Sequence, residues 1–253
     1  MADWAVTNRF HDLSKFDPNP RNGRNPREGY IRGCGIQFGN VPQLCEQDAD
    51  FMRAYQMARP MSIVADTNLM NLYMLIRFYL PRLRPGAIAE FGCYKGGSCV
   101  FMAYLPKRFL GGEKVYGFDT FVGMPATDRT IDVHKAGDFA DIDLPGLERH
   151  VADLGLDNLH FIKGRFEDSL PDALPKMGPL ALMHIDCDVY GGVEVSYNYA
   201  KHSLVPGGYI VLDDPLVSSC LGALEAVEDH MIRGDRLSAE QVFPHMVFRY
   251  PKL

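Results

Sequence analysis

The chain has 253 residues, a length that suits one large domain or two small ones at roughly 150 residues per domain. Hydrophobic residues make up 47% and charged residues 23% of it, which excludes a mainly disordered chain. The net charge of −6 argues against a protein that binds nucleic acid by neutralising phosphates, because such proteins need a clustered excess of positive charge.

The first 45 residues are predicted to form an irregular arm. Residues 18–26 read PNPRNGRNP, and a run of Pro, Asn and Gly favours turns over a helix. Residues 29–39 mix glycines with aromatic side chains, which leaves two alternatives, a solvated tail and a lid over a binding site. The chain lacks a secretory leader pattern, and polar residues interrupt its most apolar stretch, 61–80. We therefore expect a soluble, cytoplasmic protein that does not bind a membrane.

From residue 47 onward the hydrophobic pattern predicts helices and then alternating strands and helices. Two helices are expected between residues 47 and 80, with Pro60 and Pro81 as breaks. Apolar runs typical of buried parallel strands follow at 87–92, 114–119, 158–164, 179–186 and 207–214. Helices are expected near 97–109, 147–154, 193–204 and 221–232, and 245–250 is expected to close one edge. This order indicates a doubly wound α/β fold.

Acidic residues follow two of the predicted strands. Asp186 and Asp188 come after the fourth strand, and Asp213 and Asp214 after the fifth. Ligands of doubly wound sheets bind at the carboxyl ends of the strands, so these carboxylates are expected at one edge, where they would repel one another without a cation. Oxygen ligands favour Mg²⁺, Mn²⁺ or Ca²⁺ over zinc. The alternative is that some of them cap the following helices.

The first strand leads into a glycine-rich turn, residues 92–97, which matches neither a GxGxxG motif nor a Walker loop. Asp119, at the end of the second strand, suits a contact with ribose hydroxyls. Ser98 lies outside any GxSxG pattern, which disfavours nucleophilic hydrolysis. His184 shares a strand face with Asp186 and either contacts a ligand or is a hydrogen-bonded core histidine.

Five ordered motifs resemble the macrocin O-methyltransferase family, class I methyltransferases that depend on S-adenosylmethionine and Mg²⁺. They are AEFGCYKGGS, GFDTFVGMP, GRFEDSLP, HIDCDVY and PGGYIVLDD. The resemblance covers roughly residues 60–230. It implies a Rossmann-like, mostly parallel sheet with one antiparallel edge strand, in a methyltransferase domain at 46–253. It also implies O-methylation of a sugar hydroxyl on a glycosylated natural product, in antibiotic biosynthesis, by a homo-oligomer that we expect to associate through residues 47–80.

The resemblance also implies the site residues by position. Asp186, Asp213 and Asp214 match the Mg²⁺ ligands, and Asp188 is the expected general base, with Asp186 as the second choice. The residues expected to bind S-adenosylmethionine are Met61, Ser62, Glu90, Gly92, Ser98, Asp119, Phe121, Arg165, Phe166 and Asp186.

Two departures from the family pattern leave the acceptor open. Lys95 stands in place of a usual arginine, and Gly191–Gly192 replaces an acidic, hydroxyl-bearing helix start. The long acidic loop at 122–144 is expected to form the acceptor pocket together with the arm, or else to be a solvated face.

Three alternative functions stay open at this point. They are a catechol or phenol O-methyltransferase, a non-catalytic binding protein of the same fold, and a metal-dependent phosphohydrolase. The complete aspartate set argues against the binding protein. Glu90 argues against the phosphohydrolase, because such an enzyme is expected to carry a reactive aspartate on the first strand.

Overall fold

A computed structural model describes residues 41–251, and the chain divides into two compact units between Asp48 and Ala49. The first unit contributes one described helix, α1 (Val41–Gln47). The predicted arm, residues 1–45, lies outside the described residues up to position 40, so its role as tail or lid stays a prediction. Its last five residues, 41–45, are helical instead of irregular, because the run rich in glycine and proline ends before them. Within residues 41–251, no helix combines the length and the apolar character needed to cross a bilayer.

The second unit alternates strands with helices. Its helices are α2 (Ala49–Ala58), α3 (Asp66–Met74), α4 (Gly97–Phe109), α5 (Leu144–Asp153), α6 (Phe166–Met177), α7 (Tyr190–Ala200) and α8 (Leu221–Ala226). Its strands are β1 (Ala87–Phe91), β2 (Val115–Asp119), β3 (Leu159–Lys163), β4 (Leu180–Ile185), β5 (Leu204–Leu212) and β6 (Met246–Tyr250). Helix α3 continues through a π-helical segment, Leu75–Tyr79, and α8 through another, Val227–Gly234.

The six strands form one sheet in the order β3-β2-β1-β4-β5-β6. Every neighbouring pair is parallel except β5 and β6, which pair antiparallel. The predicted doubly wound sheet with one antiparallel edge strand is thus confirmed. The strand order reverses between β1 and β4, and in such sheets the crevice at this point is where ligands bind.

Burial on both faces explains why the central strands form. All residues of β1 and β4 are buried, as expected for parallel strands that helices cover on both sides. Only two of them carry an ionisable side chain, Glu90 and His184, and both are 0% exposed. The middle of the sheet therefore contains two buried ionisable side chains directly below the crevice.

Strand β5 begins at Leu204, three residues before the predicted start. Helices α5 and α7 also begin three residues early, at Leu144 instead of residue 147 and at Tyr190 instead of residue 193. Helix α6 was not predicted, because Pro171 and Pro175 lie inside it and proline removes a helical hydrogen bond. Burial of Leu170 in the core favours the helix in spite of the two prolines.

Gly92 permits the close approach of β1 and β4 at the crevice. Its φ is +85°, and a Cβ placed on it would lie 1.9 Å from the main-chain oxygen of Asp186. Only glycine combines this left-handed backbone with the absence of a side chain. The position of Asp186 relative to β1 therefore depends on Gly92.

We predict that Gly92→Ala lowers the unfolding free energy by about 2–5 kcal/mol. Placing alanine in a left-handed backbone costs ~1–2 kcal/mol, and forcing its Cβ into the packed crevice costs a further ~1–3 kcal/mol. Gly137→Ala is the matched control, because Gly137 has a φ of +87° and a Cβ added to it would meet nothing within 4 Å. It should lose only the backbone contribution, about 1–2 kcal/mol. Urea unfolding measures both, and equal losses would contradict the steric argument.

Candidate functional site

The three aspartates predicted to form a metal site lie together at the carboxyl ends of β4 and β5. Ile185 pairs with Leu212 in the parallel register, so Asp186 and Asp213 leave the sheet side by side. The N–H of Asp213 donates to the oxygen of Ile185 at 3.1 Å. Asp186, Asp213 and Asp214 each offer one carboxylate oxygen, and these oxygens lie within 4.8 Å of one another. The arrangement offers three oxygen ligands to a single cation.

Burial and mutual repulsion raise the energy of these carboxylates when all are charged. Burial, followed by the charges of Asp213 and Asp214, raises the pKa of Asp186 well above its ordinary value. Burial and the charge of Asp188 do the same to the pKa of Asp214. A cation between the oxygens would remove this penalty. The donor set suits a hard divalent cation such as Mg²⁺.

A buried histidine lies directly behind the aspartates. His184 donates from Nδ1 to Glu90 Oε1 at 2.7 Å, and its Nε2 lies 3.7 Å from Asp213 Oδ1. Burial alone would lower the pKa of His184, but Asp213 and Glu90 outweigh it and raise the pKa to about 9. His184 is therefore a buried cation at neutral pH, between two carboxylates. His184 is thus a core histidine hydrogen-bonded through Nδ1, while its buried Nε2 has no hydrogen-bond partner among the described residues.

Asp213 is held by donors from distant parts of the chain. Its Oδ1 accepts from Asn68 Nδ2 at 2.8 Å and contacts His245 Nε2 at 2.9 Å. Asn71 Nδ2 lies 2.9 Å from Nδ1 of the same histidine. An amide nitrogen only donates, so His245 accepts at Nδ1 and carries its proton on Nε2, from which it donates to Asp213. These contacts occupy Oδ1 and leave Oδ2 for a ligand.

Asp188 has a separate environment on the outer side of the aspartate group. Its N–H donates to Asp214 Oδ2 at 2.7 Å, and its φ is +61°. Its Oδ1 accepts from Cys220 Sγ at 3.4 Å and lies 3.7 Å from His134 Nε2. Burial raises the pKa of Asp188 in spite of the opposing effects of His134 and Cys220, which suits a carboxylate that takes up a proton.

Residues expected to bind the cofactor surround the ends of β1 and β2. Asp119 Oδ2 accepts from the N–H groups of Cys93 and Tyr94 at 3.1 and 2.9 Å, and its Oδ1 accepts from Phe121 N at 2.8 Å. Asp119 thus fixes the glycine-rich turn to the end of β2. Phe121 is 4% exposed and packs edge-on against Phe161.

Gly97 brings a second segment to this turn. A Cβ placed on Gly97 would lie 2.4 Å from the nitrogen of Ser62, so the segment containing Met61 and Ser62 packs closely on the start of α4. Both side chains are partly exposed. Ser98, at the second position of α4, is 4% exposed. These three residues therefore lie near the end of β1, as expected.

The remaining expected cofactor residues differ in their access to the crevice. Glu90 is 0% exposed, and its oxygens accept from His184 Nδ1 and from Cys99 Sγ at 2.6 Å, so it lies below the crevice. The β3–α6 turn is tied to β2 because Gly164 N donates to the Asp119 main-chain oxygen at 2.9 Å. On this turn, Arg165 is exposed and paired with Glu167, while Phe166 packs edge-on against Phe91 in the core.

The acidic loop after β2 uses its carboxylates internally. Asp132 is 5% exposed and accepts from Tyr190 N at 2.9 Å. Asp143 accepts from Gly146 N and caps α5, and Asp141 accepts from Tyr94 Oη and Lys95 Nζ at 2.5 and 2.6 Å. Contacts inside the loop also engage Asp128 and Asp138. The acids therefore anchor the loop, which disfavours both a purely solvated face and free contacts with an acceptor.

Sequence reasoning missed five residues of this region: Asn68, Asn71, His134, Cys220 and His245. One signal was present for the asparagines, which are three residues apart in an apolar helix and therefore share a face. The sequence analysis used them only to exclude a membrane span. The histidines and the cysteine carry no local signal, because they are brought together from separate elements.

Comparisons with known proteins agree with this architecture. Residues 47–235 match the model of the macrocin-O-methyltransferase (TylF) family. The chain is 30% identical over 164 residues to the 8-demethyl-8-(2,3-dimethoxy-alpha-L-rhamnosyl)-tetracenomycin-C 4'-O-methyltransferase of Streptomyces olivaceus, covering 61% of this chain and 62% of that protein. It is 28% identical over 157 residues to the mycinamicin III 3''-O-methyltransferase of Micromonospora griseorubida, covering 57% of this chain and 61% of that protein. The chain therefore matches less than two thirds of the length of these relatives.

Solved structures share the fold. The O-methyltransferase NovP matches with a TM-score of 0.63 and 21% identity, over 72% of this chain and 79% of its own. A calicheamicin methyltransferase matches with a TM-score of 0.65 and 18% identity, over 96% of this chain and 98% of its own. At these identities the likeness concerns the fold alone.

The buried Glu90–His184 pair generates a prediction for stability. Glu90→Ala leaves a buried imidazole without its paired carboxylate and should cost about 3–5 kcal/mol of unfolding free energy at neutral pH. A histidine whose pKa is raised from 6.5 to about 9 on folding stabilises the fold fully below pH 6.5 and loses this effect as the pH rises through about 9. The difference in unfolding free energy between the wild type and Glu90→Ala should therefore decrease as the pH rises from 6.5 through about 9.

Urea unfolding at pH values below, within and above this interval measures the difference. Glu148→Ala is the control, because Glu148 is exposed on α5 and its loss should change stability by no more than about 0.5 kcal/mol. A difference that does not vary with pH would contradict the charged state of His184.

Proposed function

We propose, because the chain belongs to the macrocin O-methyltransferase family, that it is a Mg²⁺-dependent O-methyltransferase using S-adenosylmethionine. Its proposed acceptor is a sugar hydroxyl on a glycosylated natural product. The names of the curated relatives support this class, because they describe O-methyltransferases acting on a rhamnosyl tetracenomycin and on mycinamicin III. A third relative, from Streptomyces niveus and 26% identical over 161 residues, is a demethyldecarbamoylnovobiocin O-methyltransferase.

The single observation that carries the proposal is the aspartate group at the β1–β4 crevice. Three carboxylates with oxygens within 4.8 Å of one another have the chemistry of a Mg²⁺ site. Asp186 and Asp214 are disfavoured as free anions by burial and by mutual repulsion. Asp213 is different, because the imidazoles of His184 and His245 overcome the effect of burial and hold its pKa below the ordinary range. Asp213 thus stays ionised and available to a cation.

The turn after β1 is the proposed place for S-adenosylmethionine. Gly92 and Ser98 lie where the methionine part would bind, and Asp119, with one oxygen accepting a single main-chain N–H, retains acceptor capacity for a ribose hydroxyl. Phe121, Arg165 and Phe166 are proposed to border the adenine. The buried Glu90 would act on this site indirectly, through His184 and Cys99.

Methyl transfer needs an oxygen nucleophile, and an alcohol is a weak one at neutral pH. When bound, Mg²⁺ lowers the pKa of a contacting hydroxyl and orients it. The methyl group leaves the sulfonium of S-adenosylmethionine and bonds to the acceptor oxygen, which releases one proton. Asp188 is proposed to accept that proton, because its raised pKa and its place next to Asp214 suit a general base.

Calorimetric titration with S-adenosylhomocysteine, in Mg²⁺ and then in EDTA, tests the cofactor assignment. Saturable binding is expected in both conditions, because the residues proposed for the cofactor lie mainly at the ends of β1 and β2. Failure to bind in either condition would overturn the proposal.

An acceptor comparison tests the substrate class. Glycosylated natural products should be methylated in Mg²⁺ and not in EDTA, and faster than a catechol. Faster turnover of the catechol would assign the chain to the phenol-type alternative instead.

The general base is tested with Asp188→Asn. Asparagine tolerates the left-handed backbone that Asp188 adopts, so the fold should persist. Turnover should fall by about 100-fold or more, the scale of general-base loss, while S-adenosylhomocysteine affinity is retained. Unchanged turnover would instead assign the general base to Asp186.

A further inference from the structure

A second group of potential metal ligands lies next to the aspartates and has a different chemistry. His134 comes from the loop after β2, Asp188 from the β4–α7 turn, and Cys220 from the residue before α8. Their ligand atoms are Nε2, Oδ1 and Sγ, all within 4.8 Å of one another. Sulfur and imidazole nitrogen select zinc and its neighbours over Mg²⁺.

The distances fit a tetrahedral ion. Cys220 Sγ lies 3.4 Å from Asp188 Oδ1 and 3.9 Å from His134 Nε2, and His134 Nε2 lies 3.7 Å from Asp188 Oδ1. Zinc bonds of ~2.0–2.3 Å in a tetrahedron place these ligand atoms about 3.3–3.6 Å apart. All three observed separations are within a few tenths of an ångström of this range. Three protein ligands leave the fourth position of a tetrahedron open.

A carboxylate lies near the other nitrogen of the His134 imidazole. Nδ1 is 3.6 Å from Asp138 Oδ2, just beyond hydrogen-bond distance, and that oxygen also accepts from Lys135 N at 3.0 Å. Histidines that bind metals usually direct their second nitrogen to a carboxylate, which fixes the ring orientation and increases its basicity. The loop is also held in place at His134 and just before it, because the main-chain oxygen of His134 accepts from Thr127 Oγ1 at 2.7 Å and Asp132 accepts from Tyr190 N.

We propose that His134, Asp188 and Cys220 form a zinc site, distinct in ligand chemistry from the all-oxygen aspartate group, and that zinc bound there inhibits the enzyme. On coordination the thiol of Cys220 releases its proton to solvent and binds as thiolate. The inhibitory part rests on the proposed function, because zinc would bind the carboxylate of Asp188 that is proposed to accept the acceptor's proton.

Cobalt binding tests the site without any turnover. Co²⁺ added to the protein in excess Mg²⁺ should produce a thiolate-to-cobalt charge-transfer band, which oxygen ligands do not give. The band should disappear in Cys220→Ser and weaken in His134→Gln, and it should persist in the control Cys45→Ser. Asp138→Asn should keep the band but weaken Zn²⁺ affinity by about 10-fold, as expected for a carboxylate behind a ligand.

Inhibition is tested in the same variants. Zn²⁺ in the presence of excess Mg²⁺ should abolish methyl transfer by the wild type, whereas the turnover of Cys220→Ser, compared with its own rate in Mg²⁺ alone, should not change when Zn²⁺ is added. Equal inhibition of both would place zinc at Asp186, Asp213 and Asp214 and overturn the inhibitory site. The absence of a charge-transfer band in the wild type would overturn the zinc site itself. Failure of the proposed function would appear separately, as absent S-adenosylhomocysteine binding with the cobalt spectrum intact.

Discussion

Electrostatic repulsion among carboxylates at the carboxyl ends of β4 and β5 is the constraint around which the site is arranged. The sheet order brings the ends of β4 and β5 side by side, so Asp186, Asp213 and Asp214 share a small, partly buried volume. Such a group is unstable when fully ionised unless positive charge is nearby. The buried cation of His184, paired with Glu90, supplies part of that charge from below. The proposed Mg²⁺ supplies the remainder from the crevice.

Asp213 shows how the fold assigns different properties to chemically identical groups. Hydrogen bonds from Asn68 and His245 occupy one of its oxygens, and the neighbouring imidazoles keep its pKa low. Asp214, which lacks the histidine hydrogen bonds and lies next to Asp188, has a raised pKa. The same residue type therefore has a lowered pKa at one position and a raised pKa at the next. Environment decides between them.

Asp188 stands between two ligand sets of different hardness. On one side are the oxygens of the aspartate group, which suit Mg²⁺. On the other side are the imidazole of His134 and the thiol of Cys220, which suit zinc. The loop that carries His134 is fixed by its own acids, so this second set does not require a loop rearrangement. If both proposals hold, the choice of metal would determine whether the carboxylate of Asp188 is free to take up a proton.

The sequence by itself determined the fold class and the cluster of carboxylates, because both follow from local patterns. Apolar runs alternating with helices specify a parallel sheet, and a parallel sheet aligns the ends of its strands, so Asp186, Asp188, Asp213 and Asp214 could be placed at one edge from their positions alone. The choice of Asp186, Asp213 and Asp214 among them came from the resemblance to the macrocin O-methyltransferase family. Only the tertiary structure decided that Glu90 is buried below the crevice and that Asn68, Asn71 and His245 hold Asp213. Only it brought His134 and Cys220 to Asp188. These contacts join residues separated by 32 to 174 positions, and no local period relates residues that meet only when separate elements pack.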